Sequence, residues 1–237
     1  MVLLNPKKYD REHVDSRAKE IMLKTIDFFE NKGLAKMKEE DKNFDWYQDY
    51  CDFLAKEEIF ADLLTPAGYG KSDSRWDLWR VTEFNEVSSF YALHYQYLYQ
   101  VTILGLGPIF LSSNEKVKND AAELLREGKF FGFGLSERAH GNDIYSNEML
   151  LTPNGDGTYT ASGNKYYIGN GNIAARISVF GKFADTGDYV FFVVDSQHPC
   201  FELVKKINTS GAHSAYVSEF NLNDYPIKEE DILSRGP

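Results

Sequence analysis

Gly128 divides this chain into two textures. Up to Glu127 apolar residues recur at helical spacing. From Phe130 to Leu222 they fall in short β-branched and aromatic runs separated by turn clusters. A run of helices followed by a run of strands indicates an α+β fold, or two abutting domains. The expected architecture is an all-α helical domain over residues 1–128 and a β-barrel-like domain over 129–237.

The helical half starts with a segment from Arg11 to Asn31. Val14, Ala18, Ile21, Met22, Phe28 and Phe29 recur close to a 3.6-residue period, Asp10 is placed to cap its start, and Gly33 to end it. Trp46, Tyr47, Tyr50, Cys51 and Leu54 mark a second helix near 44–64. Thr65-Pro66-Ala67-Gly68-Tyr69-Gly70 is a loop. A long apolar and aromatic segment runs from Asp77 to Leu106. Ser112 with Glu115 forms a capping box for a helix to Glu127, which Gly128 stops.

In the second half, strands are expected at Phe130–Ser136, Asn147–Thr152, Thr158–Ser162, Tyr166–Ile168, Ile177–Phe183, Tyr189–Asp195, Phe201–Lys205 and Tyr216–Leu222. Asn154-Gly155 and Thr186-Gly187-Asp188 supply hairpin turns. Even spacing without intervening helices points to a barrel or sandwich.

Composition narrows the function classes. With 43% hydrophobic residues, 17 Phe and 15 Tyr, the chain can bury a core and is not a disordered segment. A net charge of −10 argues against nucleic acid or an anionic membrane surface as partner, while leaving room for a local basic patch. No apolar run is long enough to span a bilayer, and Met1 to Lys8 lacks the apolar core of a signal peptide. A cytoplasmic location is expected. Cys51 and Cys200 give neither a disulfide framework nor a metal spacing, and no pair of the five histidines has helical metal-ligand spacing. No metal site is expected.

The chemistry lies in two segments. Gly132-Phe133-Gly134-Leu135-Ser136-Glu137-Arg138-Ala139-His140-Gly141-Asn142-Asp143 ends a strand in a polar, Gly-bearing turn. Gly163-Asn164-Lys165-Tyr166-Tyr167-Ile168-Gly169-Asn170-Gly171 follows the hairpin. Outward backbone amides, the Ser136 hydroxyl and the Asn142 amide would suit a ligand with phosphates and a polar ring edge. The same residues can equally cap an ordinary β-turn. His140 is either a phosphate contact or a solvated loop histidine. The rings around His94 (Phe90, Tyr91, Tyr95, Tyr97 and Tyr99) are either plain core or a pocket lining.

Together the two segments resemble the middle domain of the acyl-CoA dehydrogenases, with their Thr-Glu-Pro-x-Ala-Gly-Ser-Asp and Gly-x-Lys-x-Trp-Ile-Thr-Asn-Gly signatures. Glu137, Gly141 and Asp143 match, and Ser136 keeps the hydroxyl. Arg138, His140 and Asn142 depart from Pro, Ala and Ser. Tyr167 stands for the family's Trp and Gly169 for its Thr. The resemblance covers nearly the whole chain and about two-thirds of a family member. It implies FAD as cofactor. Phe133, Leu135 and Ser136 would lie along the flavin ring edge. Asn142 would reach the pyrophosphate or the thioester ligand, Tyr167 would stack on the ring, and Gly169 would sit near N5.

The implied reaction is α,β-desaturation of an acyl-CoA thioester, with electrons passing to an electron-transfer flavoprotein or to oxygen. The family's base lies in a C-terminal helical domain, so no catalytic residue is assigned here. This chain alone is expected to be inactive, to hold FAD weakly and to form homo-oligomers. Two alternatives stay open: a non-catalytic subunit or binding module, and a flavin-dependent oxidase or oxygenase of the same fold.

Overall fold

A computed structural model of the chain describes Asn5 and residues 12–236. The fold is α+β. Among the described residues seven α-helices precede eight strands in the order α1 (Ser16–Lys32), α2 (Leu34–Asn43), α3 (Gln48–Lys56), α4 (Ile59–Leu64), α5 (Leu78–Tyr91), α6 (Leu93–Leu111), α7 (Glu115–Arg126), β1 (Phe130–Gly134), β2 (Leu150–Pro153), β3 (Thr158–Gly169), β4 (Ala174–Phe183), β5 (Tyr189–Asp195), β6 (Phe201–Lys206), β7 (Val217–Lys228) and β8 (Ile232–Gly236). Two compact units result. One holds residues 1–99, 125–128 and 210–215; the other holds 100–124, 129–209 and 216–237.

In the helical unit α1 starts at Asp15, whose carboxylate accepts the Ala18 N–H at 2.8 Å. The cap expected at Asp10 falls outside the described residues. Gly33 ends the helix at φ 79°, as its position implied. The single helix expected over 44–64 is two, because Glu58 adopts φ 52° between α3 and α4. The long segment after Asp77 also divides: Ala92, extended at φ −164°, separates α5 from α6. The core here is aromatic. Phe29, Tyr47, Tyr50, Phe84, Tyr95 and Tyr99 are buried, and Phe29, Tyr91 and Tyr95 pack ring to ring at 4.8–5.3 Å.

Two buried charges in this unit meet charged partners. Arg80 is 1% exposed and meets the Asp15 carboxylate through Nε at 2.9 Å and Nη2 at 3.0 Å. Asp62, equally buried, accepts from Arg17 Nε at 2.7 Å and from the Ser74 hydroxyl at 3.2 Å. Such pairing is the condition on which a charge survives in a core.

In the second unit the strands form one eight-stranded sheet, seven of them ordered β6-β7-β3-β2-β4-β5-β8 and the eighth, β1, pairing with β4 off that path. One edge of β4 is shared by β1 and β2, both parallel to it, and its other edge pairs antiparallel with β5. Strands far apart in that order contribute to one core: Ile177, Val179 and Phe192 pack with Ile168, Phe220 and Leu222. The sheet therefore curls over its apolar face. A Cβ added to Gly134 would meet Phe220 of β7 at 3.2 Å and Val179 of β4 at 3.3 Å. The runs Thr158–Ser162 and Tyr166–Ile168 are one strand, β3, interrupted by irregularities against β7. In the same unit Ser112 does not cap α7 directly; its hydroxyl accepts the Asn114 N–H, and Asn114 Oδ1 accepts the Val117 N–H at 3.2 Å.

Candidate functional site

The candidate site lies in the second unit, where β1 runs out. The β1–β4 ladder ends at the pair Gly134↔Val179. Beyond it, the chain is held by the second signature segment on β3. The Tyr166 N–H donates to the Ser136 carbonyl at 2.9 Å, and the Ser136 hydroxyl donates to the Tyr166 carbonyl at 2.7 Å. The hydroxyl's one proton is thereby used, and its oxygen is left as an acceptor.

Next to Ser136, Glu137 and Lys165 form a buried ion pair at 2.8 Å, with Lys165 fully enclosed. Lys165 Nζ also donates to the Leu135 carbonyl at 3.0 Å. The Glu137 carboxylate accepts the N–H groups of Glu148 at 2.7 Å and Met149 at 3.1 Å. Burial pushes the Lys165 pKa down, Glu137 pulls it back, and the net direction is downward. Sequence reasoning quoted Lys165 within the second segment without giving it a role. Its signal was a lysine directly before the run Tyr166-Tyr167-Ile168.

Tyr167 follows Tyr166 on a bulge of β3, at φ 64° and 60% exposed. A non-glycine residue held in the left-handed region is strained by about 1–2 kcal/mol. The bulge leaves the Tyr167 ring exposed, edge-on to the Tyr166 ring at 4.6 Å. Gly169 is buried, pairs with Val217 and lies outside the left-handed region, so no positive φ demands glycine there. Its carbonyl would stand 3.4 Å from a Cβ at Gly132, which places it against β1. Asn170, also left-handed at φ 61°, donates from Nδ2 to the Phe131 carbonyl at 3.1 Å.

Main-chain geometry thus sets Ser136 against Tyr166 and Gly132 against Gly169, so the two segments run side by side. Phe133 pairs with Ser178, and its ring stacks on Phe191 at 5.9 Å, so it offers backbone rather than ring to this edge. Asn142 is exposed on the loop beyond, past a turn closed by the Glu137 N–H on the His140 carbonyl at 3.0 Å. His140 stands 3.6 Å from Glu148 and 3.9 Å from Asp143. Glu137, His140 and Glu148 bring ligand atoms within 4.8 Å of one another. Lys165 already neutralises Glu137, so the grouping reads as ion pair and loop cap. Arg138, where the family has Pro, stacks on the Tyr166 ring at 5.0 Å.

A hydroxyl acceptor, a strand end free of its β4 ladder and an exposed ring face fit an isoalloxazine. Its imide edge offers both donors and acceptors, and its faces take aromatic stacking.

Comparison with known proteins finds similarity to the same family that the two segments resemble. The family profile "Acyl-CoA dehydrogenase, middle domain" matches residues 132–225. A short-chain specific acyl-CoA dehydrogenase of Megasphaera elsdenii is 32% identical over 130 residues, which is 53% of this chain and 34% of that protein. The butyryl-CoA dehydrogenase structure from Megasphaera elsdenii superposes with a TM-score of 0.83 at 25% identity, covering 96% of this chain and 61% of that one. An acyl-CoA dehydrogenase from Bacillus anthracis, solved with FAD, shares the fold with a TM-score of 0.75 at 20% identity, over 98% of this chain and 39% of that one. Residues 132–225 match the middle domain of the acyl-CoA dehydrogenases, and the chain is similar to members of that family. It spans about a third of the curated relative and under two-thirds of these structures. Of these relatives, the Bacillus anthracis enzyme is the one described with FAD. Among the described residues, no helix is long and apolar enough to cross a membrane.

Proposed function

We propose that this chain binds FAD at the end of β1 and serves, in the complete protein, the α,β-desaturation of an acyl-CoA thioester. The reading rests most on the two hydrogen bonds that join Ser136 to Tyr166, because they set the two signature segments side by side. The backbone of Leu135 and the Ser136 oxygen would hold the pyrimidine edge of the ring. Tyr167 would cover a face, Gly169 would leave space near N5, and Asn142 would serve the pyrophosphate or the thioester ligand. When bound, FAD supplies a two-electron acceptor for hydride leaving the β-carbon. The chain's own part is to orient the ring and exclude water. The carboxylate that takes the α-proton is assigned to no residue here. An electron-transfer flavoprotein as acceptor, self-association and a cytoplasmic location belong to the same proposal.

The test is a titration of the chain with FAD, followed by flavin fluorescence. Saturable quenching is expected. Ser136→Ala removes one hydrogen-bonding group and Tyr167→Ala one stacking ring. Each should weaken binding by roughly 1 kcal/mol, about fivefold. Quenching that does not saturate, or that is unchanged from the unaltered chain in both variants, would refute the placement.

A further inference from the structure

We propose that Lys165, paired with Glu137, is a positioning residue for the flavin ring: it clamps the segment on both sides of Ser136 and so fixes the edge that meets the ring. This inference rests on the FAD reading above. Three observations carry it. First, β1 loses its β4 partner at Gly134, so Leu135 and Ser136 depend on other contacts for their position. Second, one ammonium reaches both flanks of Ser136, donating to the Leu135 carbonyl at 3.0 Å and to the Glu137 carboxylate at 2.8 Å. Third, that carboxylate is itself fixed by the N–H groups of Glu148 and Met149, which lead into β2. The clamp therefore ties β3, the end of β1 and the start of β2 to one point.

Stability alone is a poor reason for the pair. A buried ion pair is often no better than apolar residues of the same volume, because two charges must leave water. Its distinctive product is geometry. An ammonium and a carboxylate with three named partners define where Leu135 and Ser136 stand. A Leu or Met at position 165 would leave the Leu135 carbonyl without that partner.

The experiment compares Lys165→Met, Glu137→Gln and Ser136→Ala with the unaltered chain, each well below its own melting temperature. FAD dissociation constant, bound-flavin absorption spectrum and Tm are measured together. The positioning role predicts that Lys165→Met weakens FAD at least tenfold and alters the spectrum of the flavin still bound. Glu137→Gln, nearly isosteric, should give a smaller loss in the same direction, and it decides the matter if Lys165→Met fails to fold. A merely structural role would lower Tm and leave the dissociation constant and spectrum of the folded protein unchanged. If Ser136→Ala weakens FAD while the folded clamp variants do not, the positioning role is overturned and the site stands. If none of the three changes binding, the site itself is wrong.

Discussion

Asp15→Ala is expected to destabilise the helical unit by about 3–4 kcal/mol. Two losses combine. The α1 cap on the Ala18 N–H goes, which is typically about 1 kcal/mol. The larger part comes from Arg80, 1% exposed, whose guanidinium loses its two-point carboxylate partner. Removing one member of a buried pair typically costs about 3–5 kcal/mol, because the other charge stays buried. The lower end applies here, since Arg80 keeps the Asp73 carbonyl at 2.8 Å and the Asp15 side chain is 23% exposed. Asp15→Asn keeps an oxygen for the cap and should recover about 1 kcal/mol of the loss.

The same contact has a pH signature. Burial raises the Asp15 pKa, but Arg80, the Ala18 N–H and Arg75 outweigh it, and the folded value lies below 3.8. A group with a lowered folded pKa stabilises above its unfolded value, and loses that contribution as pH falls through the folded one. The unaltered chain should therefore lose stability on acidification below about pH 4, and Asp15→Ala should lose less over that range. Urea unfolding followed by far-UV circular dichroism measures both. A change within about 0.5 kcal/mol at neutral pH, the size of an ordinary surface substitution, would contradict this account.

Gly105→Ala is expected to be the most damaging single-methyl addition in the second unit, at about 2–3 kcal/mol or more. A Cβ there would stand 2.4 Å from the Gly132 carbonyl oxygen and 3.0 Å from that residue's N and C atoms. Those are backbone atoms, so no rotamer relieves the clash. Gly105's own carbonyl also accepts the Ser178 hydroxyl at 2.6 Å, which fixes the helix in place. Gly132 lies in β1, so the displacement would reach the strand end that carries Leu135 and Ser136, and FAD affinity should fall with Tm. Gly107→Ala is the control on the same helix. Nothing outside the helix lies within 4 Å of its added methyl. It should be neutral, or gain a few tenths of a kcal/mol from helix propensity. Equal Tm values for the two variants would refute the close approach.

How much of this was legible in the sequence depends on whether the signal is local. Gly33 and Gly128 end helices at φ 79° and 73°, as glycines after periodic segments should. Glu58 and Ala92 break helices with no glycine or proline at either position to announce it. Helix α2 escaped notice because it buries only Met37. Strand β8 was missed because its sequence has just two apolar residues, Ile232 and Leu233, and needs β5 beside it to form. At the site, the type of each residue was legible and the partnerships were not. Glu137 and Lys165 lie 28 positions apart, and only the fold shows that they meet. The stacking of the Phe133 ring on Phe191 is likewise a long-range contact that only the fold shows.

The central claim is that FAD binds where the first signature segment meets the second. Backbone amide chemical shifts of isotopically labelled chain, recorded as FAD is added, test it most directly. The account predicts saturable shifts concentrated in residues 133–142 and 165–171, with α1 to α4 little changed. Shifts concentrated in α1 to α4 with both signature segments silent, or no saturable shift at all, would contradict it.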